Sequence, residues 1–157
     1  MTRIHDFQTS LTFGKRVEED LDEIFSKWYL IEEVSLADEK RLGIDRIFTK
    51  PDGTKLKIEY KADRWALQTG NVFMELSVNG NPGWTRKTIA DVVIYALVDV
   101  AGNPVSAIVL KQETIKEMLP KWEQLPLKRI QNTNFFGVGV LVPIESLRNS
   151  SKTLTFN

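Results

Sequence analysis

The sequence predicts an α/β fold, a mixed central β-sheet flanked by helices, and three observations carry that prediction. An amphipathic helical stripe opens the chain, short β-like segments follow, and the nearly continuous apolar run Ala90 to Val98 reads as a strand covered on both faces. With 157 residues, 42% of them hydrophobic, the chain has the size and apolar content of one domain, residues 1–157, around a buried core. No internal repeat, low-complexity tract or long linker divides it.

The elements follow in order. Thr12 is placed to cap a helix over Phe13–Trp28, in which Phe13, Val17, Leu21, Ile24, Phe25 and Trp28 recur at spacings of three and four. Glu18, Glu19 and Asp20 then fall in its first two turns, where the helix dipole favours negative charge. Tyr29–Leu36 is mixed in character, and Gly43–Thr49 reads as a strand. Lys50-Pro-Asp-Gly-Thr54 has the composition of a turn. Lys55–Ala62 alternates, with Leu56, Ile58 and Tyr60 on one face and Lys57, Glu59 and Lys61 on the other. Asn71–Val78 is a further strand, Asn79–Gly83 a loop, and Ala90–Val98 the central strand. A turn at Ala101–Pro104 leads into strand Val105–Leu110, helix Gln112–Leu119, strand Gly137–Val142 and one helical turn at Ile144–Arg148. Residues 63–90 and 120–136 are the least defined by pattern.

Composition restricts the chemistry. The chain has no cysteine, which removes disulfides, thiol nucleophiles and cysteine-built metal sites. Its one histidine, His5, lies near the N-terminal end, so histidine-dependent zinc sites and Ser-His-Asp triads are disfavoured. An enzyme of this composition is expected to use carboxylates, lysine and a hard metal. The formal charge is zero but uneven: residues 1–45 hold six Lys/Arg and eleven Asp/Glu, and residues 46–157 hold fifteen and ten. That distribution can give a neutral protein a positive face; an acidic helix plus scatter gives the same count. No apolar run of membrane-spanning length and no signal-peptide pattern is present, so a cytoplasmic protein without membrane contact is expected.

The informative constellation is Gly43-Ile-Asp45, the turn, and Glu59-Tyr-Lys61. Glu59 and Lys61 are two apart on a strand and project from one face. Counting outward from a turn centred near Asp52 sets Asp45 opposite Glu59, with Cβ atoms within about 5–8 Å. Two carboxylates so close repel unless a cation lies between them, and oxygen-only ligands suit Mg²⁺, with Mn²⁺ able to substitute. A lysine beside such a metal can orient the attacking water and offset charge on a phosphate. The same alternation also fits the solvated face of a hairpin, with Asp45 pairing across to Lys61.

Gly14-x-x-x-Glu18 on the first helix, Gly43-x-Asp45 on one strand and Glu59-x-Lys61 on the next resemble the PD-(D/E)XK nuclease superfamily, over roughly residues 13–98. The resemblance implies a restriction endonuclease-like fold. It makes Asp45 and Glu59 metal ligands, Lys61 the catalytic lysine, and Glu18 the helix carboxylate supporting the metal or its water. Glu19 and Asp22 compete with Glu18 for that place. Ile44 stands where the eponymous proline would be, and only Thr85–Ile89 is available as a helix between the two core strands. Arg64, Gln68, Trp84, Arg86 and Lys87 flank the hairpin, and of these Arg64, Arg86, Lys87 and Trp84 are the expected DNA contacts, the cations on phosphates and Trp84 stacked on a base. Glu75 lies mid-strand within reach of the same region, and Asp91 is placed as a strand-end hydrogen-bond acceptor.

The expected function is therefore metal-dependent endonuclease action on DNA, duplex or branched. Site-specific double-strand cleavage of homing or restriction type is favoured. Cleavage of both strands implies two sites, hence a homodimer or homotetramer. A Holliday junction resolvase-like nuclease and a non-catalytic DNA- or protein-binding domain of the same fold are the alternatives, beside an unrelated α/β domain.

Overall fold

A six-stranded mixed sheet with a helix on one face and a second, four-stranded sheet on the other organises the chain. The computed structural model describes residues 3–132 and 134–156, with the side chains of 3–11, 38–40 and 132 outside that description. In chain order the elements are α1 (Arg3–Phe25), β1 (Leu30–Glu33), α2 (Leu36–Leu42), β2 (Arg46–Thr49), β3 (Lys55–Asp63), α3 (Ala66–Thr69), β4 (Asn71–Val78), β5 (Asn81–Pro82), α4 (Trp84–Lys87), β6 (Val92–Val98), β7 (Pro104–Lys111), α5 (Gln112–Trp122), β8 (Leu127–Asn132), β9 (Phe135–Pro143), α6 (Ile144–Arg148) and β10 (Lys152–Thr155).

The large sheet runs β1-β2-β3-β6-β7-β10. Only β3 and β6 pair in parallel; every other neighbour is antiparallel. Its two faces feed two cores. Phe48, Ile58, Tyr60, Ile94 and Ala96 meet Val17, Leu21 and Phe25 of α1. Val93, Tyr95, Leu97, Ile108 and Leu110 meet Val72, Met74, Val140 and Val142 of the small sheet, together with Ile115 and Trp122 of α5. Burial of β6 on both faces is what its unbroken apolar run required. The small sheet, β5-β4-β9-β8, is antiparallel throughout.

Three expectations are corrected. The first helix starts at Arg3, so Thr12 lies inside it and caps nothing. The spacing Ile4, Phe7, Leu11 continues the apolar stripe upstream and accounts for the earlier start. The helix also ends at Phe25, which leaves Trp28 57% exposed instead of on the buried stripe. Second, because the helix starts at Arg3, Glu18, Glu19 and Asp20 lie in its later turns and not in its first two. As the sequence indicated, no long helix carries the parallel crossover from β3 to β6. The chain instead detours through α3, β4, β5 and α4, so the segment that lacked a helical pattern builds part of the second sheet. Third, β8 and β10 are strands where the sequence suggested none.

Candidate active site

The β2–β3 hairpin is fixed by its turn. Gly53 takes a left-handed φ of 89°, the Lys50 N–H donates to the Thr54 carbonyl at 2.8 Å, and the Thr54 N–H donates to Asp52 Oδ1 at 2.8 Å. The resulting register pairs Arg46 with Ile58, so Asp45, one residue before β2, stands opposite Glu59. At that point β2 stops while β3 runs on to Asp63. Asp45 closes the opening twice: its N–H donates to the Ile58 carbonyl at 2.8 Å, and its Oδ2 accepts the Tyr60 N–H at 2.7 Å. Gly43 holds φ +68°, and a Cβ there would lie 3.4 Å from Glu59 Oε1. Glycine is therefore demanded both by the backbone and by the neighbouring carboxylate.

Glu18, Asp45, Glu59 and Lys61 line one cleft of about 440 Å³. Four side chains singled out from three separate segments thus share one space. Gly14 lines it one helical turn before Glu18, where a Cβ would meet nothing within 4 Å. Glu75, Trp84 and Lys87 complete the opposite wall. Glu75 Oε1 accepts the Trp84 N–H at 3.3 Å, and Lys61 Nζ lies 5.9 Å from the centre of the Trp84 ring.

The cleft's electrostatics are set by burial. Glu59 is 5% exposed, and its Oε2 has no hydrogen-bond partner. Burial pushes its carboxyl up to about 7; Lys61 pulls the other way and the Asp45 carboxylate adds to the rise. Asp45 is also raised by burial, opposed by the Tyr60 N–H and then by Lys61 and Arg46. Two raised carboxyls with an unsatisfied buried oxygen form a site short of positive charge. A divalent cation fits that donor set, since Mg²⁺ is commonly held by one or two carboxylates and fills its shell with water and phosphate. Among the described residues no group of three or more His, Asp or Glu side chains is gathered closely enough to hold a metal. A metal here would accordingly rest on Asp45 and Glu59, with Glu18 acting through water.

The expected DNA contacts separate. Lys87 is exposed at the cleft. Arg64 lines a neighbouring cavity. Trp84 is 4% exposed, so no base can stack on it; Gly83 packs its backbone against Glu75 and draws the indole inward. Arg86 donates to Glu123 Oε2 at 2.7 Å and to the Leu76 carbonyl at 3.1 Å, a structural pairing that spends its charge within the protein. Asp91 Oδ2 accepts the Lys57 N–H at 2.8 Å and so acts at the strand end as expected. The side chain of His5 lies outside the described residues.

One cluster escaped the sequence reading. Arg46, 5% exposed, donates from Nε to both Asp22 oxygens at 3.1 Å and lies 3.7 Å from Glu18 Oε1. The Tyr60 hydroxyl donates to Asp22 Oδ1 at 2.8 Å. This cluster ties α1 to the hairpin; of the three acids Glu18 lines the cleft, Asp22 is engaged by Arg46 and Tyr60, and Glu19 is exposed. The signal was present, since Glu18 and Asp22 at i, i+4 repel unless a cation joins them. Arg46 alternates with Phe48 on the inward face.

No protein-family model matches the chain, and no curated protein or solved structure matches it. Among the described residues no helix is long and apolar enough to cross a membrane.

Proposed function

We propose that this protein is a Mg²⁺-dependent endodeoxyribonuclease of the PD-(D/E)XK type on a restriction endonuclease-like fold, with Mn²⁺ able to substitute. The observation that carries this reading is convergence. Glu18, Asp45, Glu59 and Lys61, distant in sequence, line one cleft, and its buried Glu59 oxygen is unsatisfied. When bound, the metal supplies Lewis-acid stabilisation of the phosphate and a more acidic water. Asp45 and Glu59 hold it at the point where the hairpin opens. Lys61 orients the attacking water and offsets negative charge gathering on the phosphate as the phosphorus–oxygen bond breaks. Glu18 positions water from the opposite wall. Lys87 meets a phosphate at the rim. Cutting both strands of a duplex requires two such clefts, hence a homodimer or homotetramer.

The competing reading is a non-catalytic DNA-binding domain of the same fold, favoured by the absence of a third close carboxylate among the described residues. Supercoiled plasmid and a branched duplex, each incubated with Mg²⁺ or EDTA, separate the two. The variants are Lys61→Ala and Asp45→Asn; asparagine keeps the acceptor for the Tyr60 N–H, whose loss would cost about 1–3 kcal/mol. The expected result is metal-dependent cleavage that both variants lose while each still unfolds in one cooperative transition. Cleavage surviving Lys61→Ala refutes the assignment, and DNA binding without cleavage of either substrate supports the non-catalytic reading. Defined double-strand products would indicate homing or restriction action, and cleavage of the branched duplex alone a resolvase.

A further inference from the structure

α1 and the exit of β3 frame a second cavity beside the cleft, about 590 Å³ in volume, well within the range of small-ligand sites. The same helix serves both: Gly14, Val17 and Glu18 face the cleft, while Thr12, Phe13 and Arg16 face this cavity. Arg64, Trp65 and Gln68 form its second wall. Arg64 stacks on Phe13, with Cζ 4.1 Å from the ring centre. Arg16 lies along the turn at Gly102, 3.7 Å from where a Cβ on that glycine would stand. Among the described residues neither arginine makes an ion pair. The one carboxylate in the lining, Asp99, is held by its own turn, Oδ1 accepting the Ala101 and Asn103 N–H groups at 2.9 Å each. The cavity is therefore cationic.

Trp65 is the unusual member. Its indole is 64% exposed, yet its backbone is anchored. Asp63 Oδ1 accepts the Trp65 N–H at 2.8 Å and the Ala66 N–H at 2.9 Å, while Asp63 Oδ2 accepts the buried Tyr95 hydroxyl at 2.7 Å. Ala66, next in sequence, is fully buried. A large apolar ring is thus presented to solvent from an anchored backbone, in a cavity that two arginines also line. Exposed aromatics combined with cations are the composition that binds single-stranded nucleic acid, the ring stacking on a base and the cations taking phosphates.

We propose that this cavity holds an unpaired nucleotide adjacent to the scissile phosphate, with Arg16 and Arg64 on phosphate oxygens and Trp65 stacked on the base. The assignment rests on the nuclease reading for its place beside the cleft and deepens it by naming the substrate class. A base within a duplex has both faces covered by its neighbours, so an indole reaches a base face only where the strand is frayed, flapped or branched. The protein therefore acts on DNA carrying unpaired nucleotides in preference to continuous duplex.

The test is binding of fluorescein-labelled oligothymidylate, followed by anisotropy with Ca²⁺ in place of Mg²⁺, so that affinity is read without cleavage. Trp65→Ala is expected to weaken binding roughly 5- to 140-fold, the loss of one stacked base, and Trp65→Phe to recover most of it. Arg16→Ala is expected to reduce the salt slope by about 0.7. These side chains reach the surface, and unchanged melting temperatures check that the fold is retained. On a covalently closed, relaxed circular duplex, which has no loop and no frayed end, Trp65→Ala should change nothing. Equal affinity of parent and Trp65→Ala for oligothymidylate overturns the proposal, as does polyglutamate competing as well as the oligonucleotide, which would mark a site for acidic peptides. If the parent cleaves DNA while Trp65→Ala is unaffected, this assignment fails and the nuclease reading stands. Binding through Trp65 in a protein that never cleaves reverses that outcome.

Discussion

Neutralising Glu59 should stabilise the metal-free protein in a pH-dependent way. The carboxyl is buried, its Oε2 is unpartnered, and it holds its proton to about 7 against the 4.5 of an exposed glutamate. Between those values the native state binds more protons than the unfolded chain, so stability falls as pH rises. The contribution is fully present below about 4.5 and is lost as pH climbs through about 7. At about 1.4 kcal/mol per pH unit, the difference amounts to about 3 kcal/mol. Asp45 is displaced in the same direction and adds to the slope. Glu59→Gln stays neutral at nearly the same volume, so at about pH 8 in EDTA it should be more stable than the parent by up to about 3 kcal/mol. For a chain of this length that corresponds to about 6–12 °C in melting temperature. At about pH 4 the two should melt together. Thermal denaturation followed by circular dichroism across that range measures the difference directly. Mg²⁺ at the alkaline end should raise the parent alone, because a cation between Asp45 and Glu59 stabilises by mass action only where both charges remain. A gap between the two proteins that stays constant with pH would refute the argument, since it would mean that Glu59 titrates as an exposed carboxyl does.

Other substitutions probe the supports of the site. Gly43→Ala must hold a left-handed φ, worth about 1–2 kcal/mol, and sets a methyl 3.4 Å from Glu59 Oε1; urea unfolding should show that loss, and Mg²⁺ titration a weaker affinity. Asp22→Ala removes the partner of buried Arg46 and of the Tyr60 hydroxyl, and should cost about 3 kcal/mol in chemical denaturation; a loss of about 1 kcal/mol or less, the size of an exposed pair, would show that Glu18 and Glu33 suffice for Arg46. Lys87→Ala should lower the salt slope of duplex binding by about 0.9. Arg86→Ala should leave that slope unchanged and reduce stability, because its charge already belongs to Glu123.

The legible part of the molecule was the part governed by local rules. The turn at Pro51–Gly53 fixes the hairpin register, and register alone sets Asp45 opposite Glu59. Strand period fixes Glu59 and Lys61 on one face, and helix period sets Glu18 one turn after Gly14. The second sheet was not legible, because its strands come from separate stretches and one of them, β8, is a charged edge whose residues show no buried alternation. Trp84 was misjudged for a related reason. A loop rich in Gly, Pro and Asn reads as exposed, and only the close approach of Gly83 to Glu75, a tertiary contact, turns the indole inward. Arg46 looked like one charge among many, whereas its burial depends on two acids reaching it from α1 and β1 as well as from Asp22.

The position of the cleft follows from a mismatch of strand lengths. β3 pairs with β2 through Ile58 and with β6 from Ile58 to Asp63, so it passes from a two-sided to a one-sided ladder within a single residue. Beyond that point its free edge presents the Tyr60 N–H, and Asp45 satisfies it with a carboxylate where a strand would have used a carbonyl. That substitution brings a negative charge beside Glu59 inside the protein, an arrangement with no structural benefit of its own, since the Glu59 oxygen stays unpaired and both carboxyls titrate high. An asparagine at 45 would close the same edge without the repulsion. A glutamine at 59 would remove the buried charge. Both acids stand near the start of the parallel β3–β6 ladder, where Glu59 pairs with Val93, and the cost in stability that their charges carry is one that a cation bound between them would offset.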